Sequence, residues 1–298
     1  MHTSVPSPLR FAIACSCAVF LGAALPAAAA PKLPKVYRFT STATNTADAI
    51  MTLDHPSLNG KPTLRLIVTQ YSAGVLNPHP VGVYYDARSK KWHLTNEDQE
   101  DIPLNAMFNV MVAQGSKPFS VTPSVTDGIL AFFPTQKGNP NAKLLTTHVV
   151  LPNPKLDGVL QPNNIGLFYI QPSNPPRISS GRWSIYQENL DSNVAAIYNI
   201  ADVTNLKIGS TPISFRHGAV AGNTTDNATT ITSTLTDGKP DAVLFVQHVY
   251  TQTANKDVDE VLAVTYAGGK WKIIAQDTEA DLPKPSEYNV VVFPSVTP

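Results

Sequence analysis

The stretch WHLTNEDQEDIPLNAMFNV, from Trp92 to Val110, occurs in this chain in three related versions. WSIYQENLDSNVAAIYNI runs from Trp183 to Ile200, and WKIIAQDTEADLPKPSEYNV runs from Trp271 to Val290. All three tryptophans of the chain open these stretches. The closing triplets begin 90 residues apart each time, at Phe108, Tyr198 and Tyr288. The sequence therefore contains an internal repeat with three copies.

Each copy reads as a series of short strands. GKPTLRLIVTQ from Gly60, GNPNAKLLTTH from Gly138 and GKPDAVLFVQH from Gly238 each begin with a Gly-x-Pro turn. The residues that follow alternate between apolar and other types, which is the pattern of a half-buried strand. Further strands are predicted from GVYYD, GLFYI and AVTYA, from each tryptophan and from each closing triplet. In the third copy, Gly268 and Gly269 fit a two-residue hairpin turn.

The composition agrees with an all-β chain. The 26 prolines are scattered, and no segment shows a helical period of apolar residues. We predict three tandem small β-sandwich or barrel domains at residues 37–113, 117–203 and 210–293. The alternative is one β body with pseudo-threefold symmetry.

The N-terminus has the features of a secretory signal peptide. Arg10 precedes the apolar segment 11–25, and small residues follow it up to Ala30. We expect residues 1–29 to be removed and the mature protein to be secreted, periplasmic or on the cell surface; a retained N-terminal anchor is the alternative. Cleavage would remove both cysteines and leave no membrane segment. The 22 basic and 22 acidic residues balance, so nothing attracts nucleic acid.

The pattern NP-x-A-x-L-x-x-T, HP-x-GV-x-Y, W-x-I-x-N-x-D and FNV resembles a repeat of exported bacterial proteins that is classed as a domain of unknown function, number 7452. The first copy matches this pattern best, at Gly60, Pro62, His79, Pro80, Gly82, Trp92, Asn96, Asp98 and residues 108–110. The second copy lacks the His-Pro pair, and the third has Ala263 in place of the glycine. The resemblance implies a shared fold and an extracytoplasmic setting, and it implies no activity.

Two sets of recurring residues define the repeat. Trp92, Trp183 and Trp271 lie on the alternating apolar faces, so we predict that they are core residues rather than exposed platforms for sugars. Asparagine is disfavoured inside strands, yet one recurs in every closing triplet. We predict that these side chains bond to backbone of a neighbouring segment and have a structural role. They are Asn109, Asn199 and Asn289.

Polar residues offer few candidate sites. Gln70, His148 and His248 share one repeat position, where they either cap the core or line a pocket at the end of a domain. The acidic run from Asn96 to Asp101 lacks the spacing of a calcium loop, and a solvated turn is the simpler interpretation. No histidine spacing indicates zinc. We therefore predict no metal and no cofactor.

No motif for a nucleophile, a dinucleotide or a phosphate loop occurs, so we predict no catalytic residues. The sequence favours a non-catalytic exported binding or surface-interaction protein whose partner is an unknown protein or carbohydrate. The alternatives are an extracellular polysaccharide hydrolase that uses loop carboxylates, and a structural spacer. The second copy carries an insertion, QPSNPPRISSGR, in its central hairpin. We predict contacts there and on neighbouring strands, at Asn174, Arg177, Arg182, Tyr85, Tyr169 and Tyr186.

Overall fold

The fold is given by a computed structural model, which describes residues 33–113, 119–121, 131–133, 135–150, 160–172, 181–191 and 196–297. Every regular element in these residues is a β-strand. The described residues contain no helix that is long and apolar enough to cross a membrane. The prediction of an all-β fold with three repeats is confirmed.

The strands follow the repeat. The first copy contains β1 (Lys35–Thr40), β2 (Thr46–Ala47), β3 (Ile50–Leu53), β4 (Leu66–Tyr71), β5 (Val81–Asp86), β6 (Lys91–Asn96) and β7 (Met107–Val112). The second contains β8 (Phe119–Val121), β9 (Ala131–Phe133), β10 (Leu144–Val149), β11 (Ile165–Ile170), β12 (Arg182–Gln187) and β13 (Ala196–Asp202). A small hairpin follows, formed by β14 (Lys207–Ile208) and β15 (Thr211–Pro212). The third copy contains β16 (Ser214–Ala219), β17 (Thr224–Thr225), β18 (Ala228–Thr230), β19 (Val243–Tyr250), β20 (Leu262–Ala267), β21 (Lys270–Ala275) and β22 (Ser286–Phe293).

Each large sheet combines strands of two copies. The strand orders are β1-β7-β4-β20-β21-β18-β17, β2-β3-β6-β5-β10-β13-β8 and β16-β22-β19-β11-β12-β9. In every sheet the two copies meet in a parallel pair, which is β4 with β20, β10 with β5, or β19 with β11. All other pairs within these sheets are antiparallel. The copies therefore succeed one another around a pseudo-threefold axis.

The buried apolar side chains form four clusters. Three of them lie mainly within one copy each, where the two halves of a copy face each other as a small sandwich, and they contain Trp92, Trp183 and Trp271 respectively. Each also includes one residue of a neighbouring copy, namely Val149, Val249 or Tyr71. The fourth draws residues from all three copies, among them Ile67, Leu145 and Phe245. The small sandwiches are thus present, and they are joined into the single body that the sequence offered as the alternative. Strand alternation shows which face of a strand is buried, but it does not show which copy the next strand belongs to.

The Gly-x-Pro turns and the tryptophans recur because they bond to each other. Gly60, Gly138 and Gly238 have φ angles of +70°, +77° and +70°, a conformation that glycine adopts without steric cost. The indole nitrogens of the three tryptophans donate to the carbonyl of the residue that follows each glycine. The bonds are Trp92 to Lys61, Trp183 to Asn139 and Trp271 to Lys239, over 3.0, 2.9 and 2.9 Å. The hydrogen-bond donor of each buried indole is therefore satisfied at the turn that precedes β4, β10 or β19, which we call the central strands of the three copies.

The recurring asparagines tie the copies together in a cycle. Asn109 Nδ2 donates to the Leu244 carbonyl, Asn199 Nδ2 to that of Leu66, and Asn289 Nδ2 to that of Leu144, over 3.0, 3.0 and 2.9 Å. All three side chains are fully buried. Each acceptor is the first or second residue of β4, β10 or β19, in a copy other than that of the asparagine. Leaving such carbonyls unpaired in the interior would cost about 1–3 kcal/mol each.

The central strands β4, β10 and β19 also contact one another directly at the axis. Backbone nitrogens of Val68 and Val246 donate to the hydroxyls of Thr147 and Thr69 over 2.9 and 3.2 Å. The Thr146 hydroxyl donates to Gln247 Oε1 over 2.7 Å. These polar contacts replace ladder bonds where three sheets converge. Beyond them, towards the C-terminal ends of the three strands, lies the candidate site.

Candidate functional site at the pseudo-threefold axis

A cavity of about 140 Å³ opens at the C-terminal ends of the three central strands. We call it the axial cavity. Its lining comes from all three copies and includes Thr69, Gln70, Thr147, His148, Gln247 and His248. The glutamine and histidine position that the sequence singled out therefore lines a pocket. This pocket lies between the copies rather than at the end of a separate domain.

The first buried histidine–glutamate pair beside the cavity joins the second copy to the first. His148 Nδ1 and Glu97 Oε2 are 2.6 Å apart, and their side chains are 3% and 2% exposed. The backbone nitrogen of Gln161 donates to the same oxygen over 2.6 Å. Burial raises the pKa of Glu97, while the hydrogen bond from His148 opposes that rise. The ring centroids of Tyr198 and His148 are 5.2 Å apart. Burial, and next the charge of Glu97, raises the pKa of the Tyr198 hydroxyl.

A second buried histidine–glutamate pair repeats this arrangement between the third copy and the second. His248 Nδ1 and Glu188 Oε1 are 2.5 Å apart, and both side chains are 1% exposed. The other carboxylate oxygen accepts from the Val258 nitrogen over 2.9 Å and from the Tyr186 hydroxyl over 2.7 Å. Burial, and next the charge of Glu188, raises the pKa of Tyr186, so the phenol stays a donor. We call these two pairs, His148 with Glu97 and His248 with Glu188, the inter-repeat pairs.

Amides take the same positions between the first copy and the third. Gln70 stands where the histidines stand, and Gln276 stands where the glutamates stand. Asn77 bridges them, since its backbone nitrogen donates to Gln276 Oε1 over 2.7 Å and its Nδ2 donates to Gln70 Oε1 over 3.1 Å. A carboxylate that orients an imidazole also occurs in catalytic sites. Because hydrogen-bonded amides occupy these positions at the third interface, the two inter-repeat pairs are better explained as structural joints.

Glycines make room for the two buried glutamates. A Cβ at Gly82 would lie 2.6 Å from Glu97 Oε1, and a Cβ at Gly166 would lie 2.2 Å from Glu188 Oε1. Both distances are far shorter than van der Waals contact. The third copy, which has the amide Gln276 instead of a glutamate, has Ala263 at this position. Glycine therefore recurs in β5 and β11, at Gly82 and Gly166, because a larger residue would collide with the carboxylate that it faces.

Several polar atoms around the cavity have no hydrogen-bond partner. Among the described residues, five buried side-chain atoms are in this state. Three of the five belong to residues that line the axial cavity or its mouth: Gln161 Oε1, His248 Nε2 and Gln276 Nε2. Buried polar groups are almost always hydrogen-bonded, because an unpaired one costs about 1–3 kcal/mol. Their concentration at one cavity marks it as the place where a polar ligand would restore those bonds.

The outer part of the cavity is acidic. A space of about 490 Å³ adjoins it and shares Pro80, Asn164, Glu260 and Val261 with its lining. Its acids are Asp98, Asp259, Glu260 and Asp277, and we call this space the acidic mouth. No lysine or arginine is among the described residues that line it. Burial, and then the nearby charges of Asp277 and Asp259, raises the pKa of Glu260. His79 Nδ1 lies 2.6 Å from Asp98 Oδ2 at the rim.

The acids are not arranged around a metal position. Within the part of the chain that the structure describes, no three histidine, cysteine, aspartate or glutamate side chains are grouped closely enough to hold an ion. The loop after Trp92 forms a turn, in which Asp98 Oδ1 accepts from the Glu100 nitrogen over 3.2 Å. Asp277 Oδ1 accepts from the Glu279 nitrogen over 2.9 Å in the same way. Both are Asx turns of the kind that the sequence suggests.

The structure separates the contact residues that were predicted from sequence. Tyr85 and Tyr169 pack edge-on against Trp92 and Trp183, three residues further along their strands than the glycines beside the cavity. That is a distance of about 10 Å along a strand. Tyr186 is buried beside Glu188, and Arg182 is exposed at the start of β12. Asn174 and Arg177 lie outside the described residues, so a contact role for the hairpin stays a prediction.

Sequence reasoning missed the partners of the histidines. Glu97, Glu188 and Gln276 each follow a tryptophan by five residues, and from sequence the run that contains Glu97 is interpreted as a solvated turn. A signal was present, because two copies have glutamate and one has glutamine at this position. Two copies likewise have histidine and one has glutamine at the position of Gln70. The glutamine at the histidine position is in the first copy, and the glutamine at the glutamate position is in the third. They become partners only when the histidine position of each copy is paired with the glutamate position of the preceding copy around the axis.

The sequence matches the model of a known protein family in all three copies. A model described as "Domain of unknown function (DUF7452)" matches residues 21–112, 89–175 and 176–292. No curated protein and no solved structure matches the chain.

Proposed function

We propose that this chain, which belongs to the family of the domain of unknown function 7452, is a non-catalytic binding protein for a small hydroxyl-rich molecule such as a sugar. The name of the family states no activity, so the proposal is argued from the geometry of the axial cavity. The proposal includes export, which rests on the apolar segment 11–25 at the N-terminus. The repeats would then form a rigid scaffold around one site on their common axis.

The observation that carries this proposal is the group of unpartnered polar atoms at the cavity. Gln161 Oε1 is an acceptor and Gln276 Nε2 is a donor. His248 Nε2 is an acceptor in the neutral ring when Nδ1 donates to Glu188, and it becomes a donor on protonation. A hydroxyl group both donates and accepts, so a molecule with several hydroxyls can pair with all three. The mouth, at about 490 Å³, is in the usual size range of small-molecule sites.

The test is isothermal titration calorimetry of the purified chain against glucose, galactose, mannose, inositol and glucosamine. We expect saturable binding of at least one of them. The variant Gln161→Leu removes the unpartnered acceptor and keeps the backbone bond to Glu97, so it should fold normally. It should weaken binding about tenfold, the effect of one lost polar contact to a ligand.

The matched control is Gln252→Leu, because Gln252 is an exposed glutamine that lines neither the cavity nor the mouth. Its affinities should equal those of the parent. If no hydroxyl-rich probe binds, or if both leucine variants bind as the parent does, the axial cavity is not the binding site.

A further inference from the structure

We infer that the ligand of the axial cavity carries a positively charged amino group, which the acidic mouth holds at the interface between the third copy and the first. This inference rests on the proposed function and narrows the ligand to hydroxylated amines, of which amino sugars are the simplest class.

The pseudo-threefold symmetry is broken at this interface. The other two interfaces are closed by the inter-repeat pairs, in which each carboxylate is matched by an imidazole. At the third interface the amides Gln70 and Gln276 are neutral, and the carboxylates lie further out, in the mouth. A ligand on the axis therefore meets the accessible carboxylates on the side of the acidic mouth, whereas Glu97 and Glu188 are buried.

The charges of the mouth have little internal compensation. Asp259 accepts only a long bond, 3.4 Å, from Asn164 Nδ2 among the contacts seen, and Asp277 accepts from a backbone nitrogen. Glu260 lies close enough to both acids for their charges to act on it, and they raise its pKa after burial. Like charges that crowd together destabilise one another, and a bound cation relieves all of them at once. Among the four acids of the mouth, Asp98 is the one that contacts a basic side chain of the described residues, which is His79.

A bare cation does not satisfy the whole site. Gln276 is 3% exposed, and its Nε2 is a donor without a partner on the wall of the same mouth. A donor needs an acceptor, which a metal ion or a simple ammonium ion does not supply. The dispersed carboxylates also do not form a metal site in the described residues. A molecule with an ammonium group for the acids and a hydroxyl or ring oxygen for Gln276 meets both needs.

The experiment compares three sugars that differ at a single position. Glucosamine has an ammonium group where glucose has a hydroxyl and where N-acetylglucosamine has a neutral amide. Calorimetry at pH 7 and low salt should give glucosamine a dissociation constant at least about tenfold lower than those of both neutral sugars. The preference should shrink as salt is added, because the screening length falls.

Variants locate the effect. Glu260→Gln and Asp277→Asn keep the shape of each side chain and remove one charge, and each should reduce the preference for glucosamine about threefold to tenfold. Asp241→Asn is the matched control, since Asp241 is exposed just before β19, at the end of that strand away from His248. It should change nothing. Circular dichroism melts should show that none of the three variants is less stable than the parent, since the two mouth variants relieve repulsion between like charges.

Each result has a definite meaning. If glucosamine binds more tightly than both neutral sugars and the mouth variants reduce the difference, the inference holds; if the variants leave the difference unchanged, the inference is wrong. If the three sugars bind equally, or the neutral ones more tightly, while Gln161→Leu weakens all of them, the inference is wrong and the proposed function stands. If none of the three binds, the inference is wrong, and the wider panel decides the proposed function.

Discussion

Replacing Glu97 with alanine should show how strongly an inter-repeat pair stabilises the fold. Glu97 is 2% exposed, and its carboxylate Oε2 lies 2.6 Å from both His148 Nδ1 and the Gln161 nitrogen. The substitution leaves a buried imidazole and a buried N–H without their acceptor. Breaking a buried ion pair by removing one partner costs about 3–5 kcal/mol. We expect the free energy of unfolding to fall by that amount.

The chain itself supplies the matched control for this substitution. The double variant Glu97→Gln with His148→Gln introduces the residue types that Gln70 and Gln276 provide at the third interface. It replaces both partners of the buried pair together, which is usually far less costly than removing one. We expect its free energy of unfolding to lie within about 2 kcal/mol of the parent. Glu100→Gln, at an exposed position of the same loop, should stay within about 0.5 kcal/mol.

Urea denaturation followed by tryptophan fluorescence measures all three variants, with the m-value as a check on two-state behaviour. The reasoning fails if Glu97→Ala costs less than about 1 kcal/mol, because a buried pair at the joint of two copies could not then be holding them. It also fails if the double variant is as unstable as the alanine variant, since this would mean that an amide pair cannot replace the ion pair.

The remaining predictions concern the core and pH. Trp92→Ala should cost about 3–5 kcal/mol in urea denaturation, since it empties a core position and frees the Lys61 carbonyl; a cost below 1 kcal/mol would mean that the indole is not part of the packed core. Asn109→Ala should cost about 1 kcal/mol more than Asn199→Ala, because Asn109 Oδ1 also accepts from Arg38 whereas Asn199 Oδ1 has no partner; equal costs would contradict this. Burial lowers the pKa of His217 to about 4, so only the unfolded chain takes up this proton as the pH falls from about 6.5 to 4. Stability should drop by about 2–3 kcal/mol over that window, and the drop should be smaller in His217→Gln; an identical pH profile in the variant would be inconsistent with the lowered pKa.

The local features of the fold can be predicted from sequence because they depend on neighbouring residues. Alternation locates the strands, and Gly268 and Gly269, with φ angles of +62° and +78°, form the two-residue hairpin turn that their sequence predicts. The partner of β5 could not be found in this way. Its parallel neighbour β10 belongs to the next copy, and the pairing depends on packing around an axis that no local pattern encodes.

The same limit applies to the candidate site. Gln70, His148 and His248 were recognised as one position that could line a pocket, because they are polar residues on a buried face. Their partners come from adjacent copies, and three separate domains would never bring them together. The hairpin insertion attracted attention instead, since loops often carry function. A cavity on a symmetry axis is built from strand ends, where sequence length variation gives no signal.

The most direct test of the axial site is a nuclear magnetic resonance titration that follows the side-chain amide of Gln276 and the imidazole of His248. The probe is glucose or glucosamine, whichever binds more tightly by calorimetry. If the ligand occupies the axial cavity, both resonances shift in a saturable manner, with the dissociation constant that calorimetry gives. Saturable shifts confined to residues 171–182, or to Tyr85 and Tyr169 beside the tryptophans, would place binding outside the cavity and contradict the account.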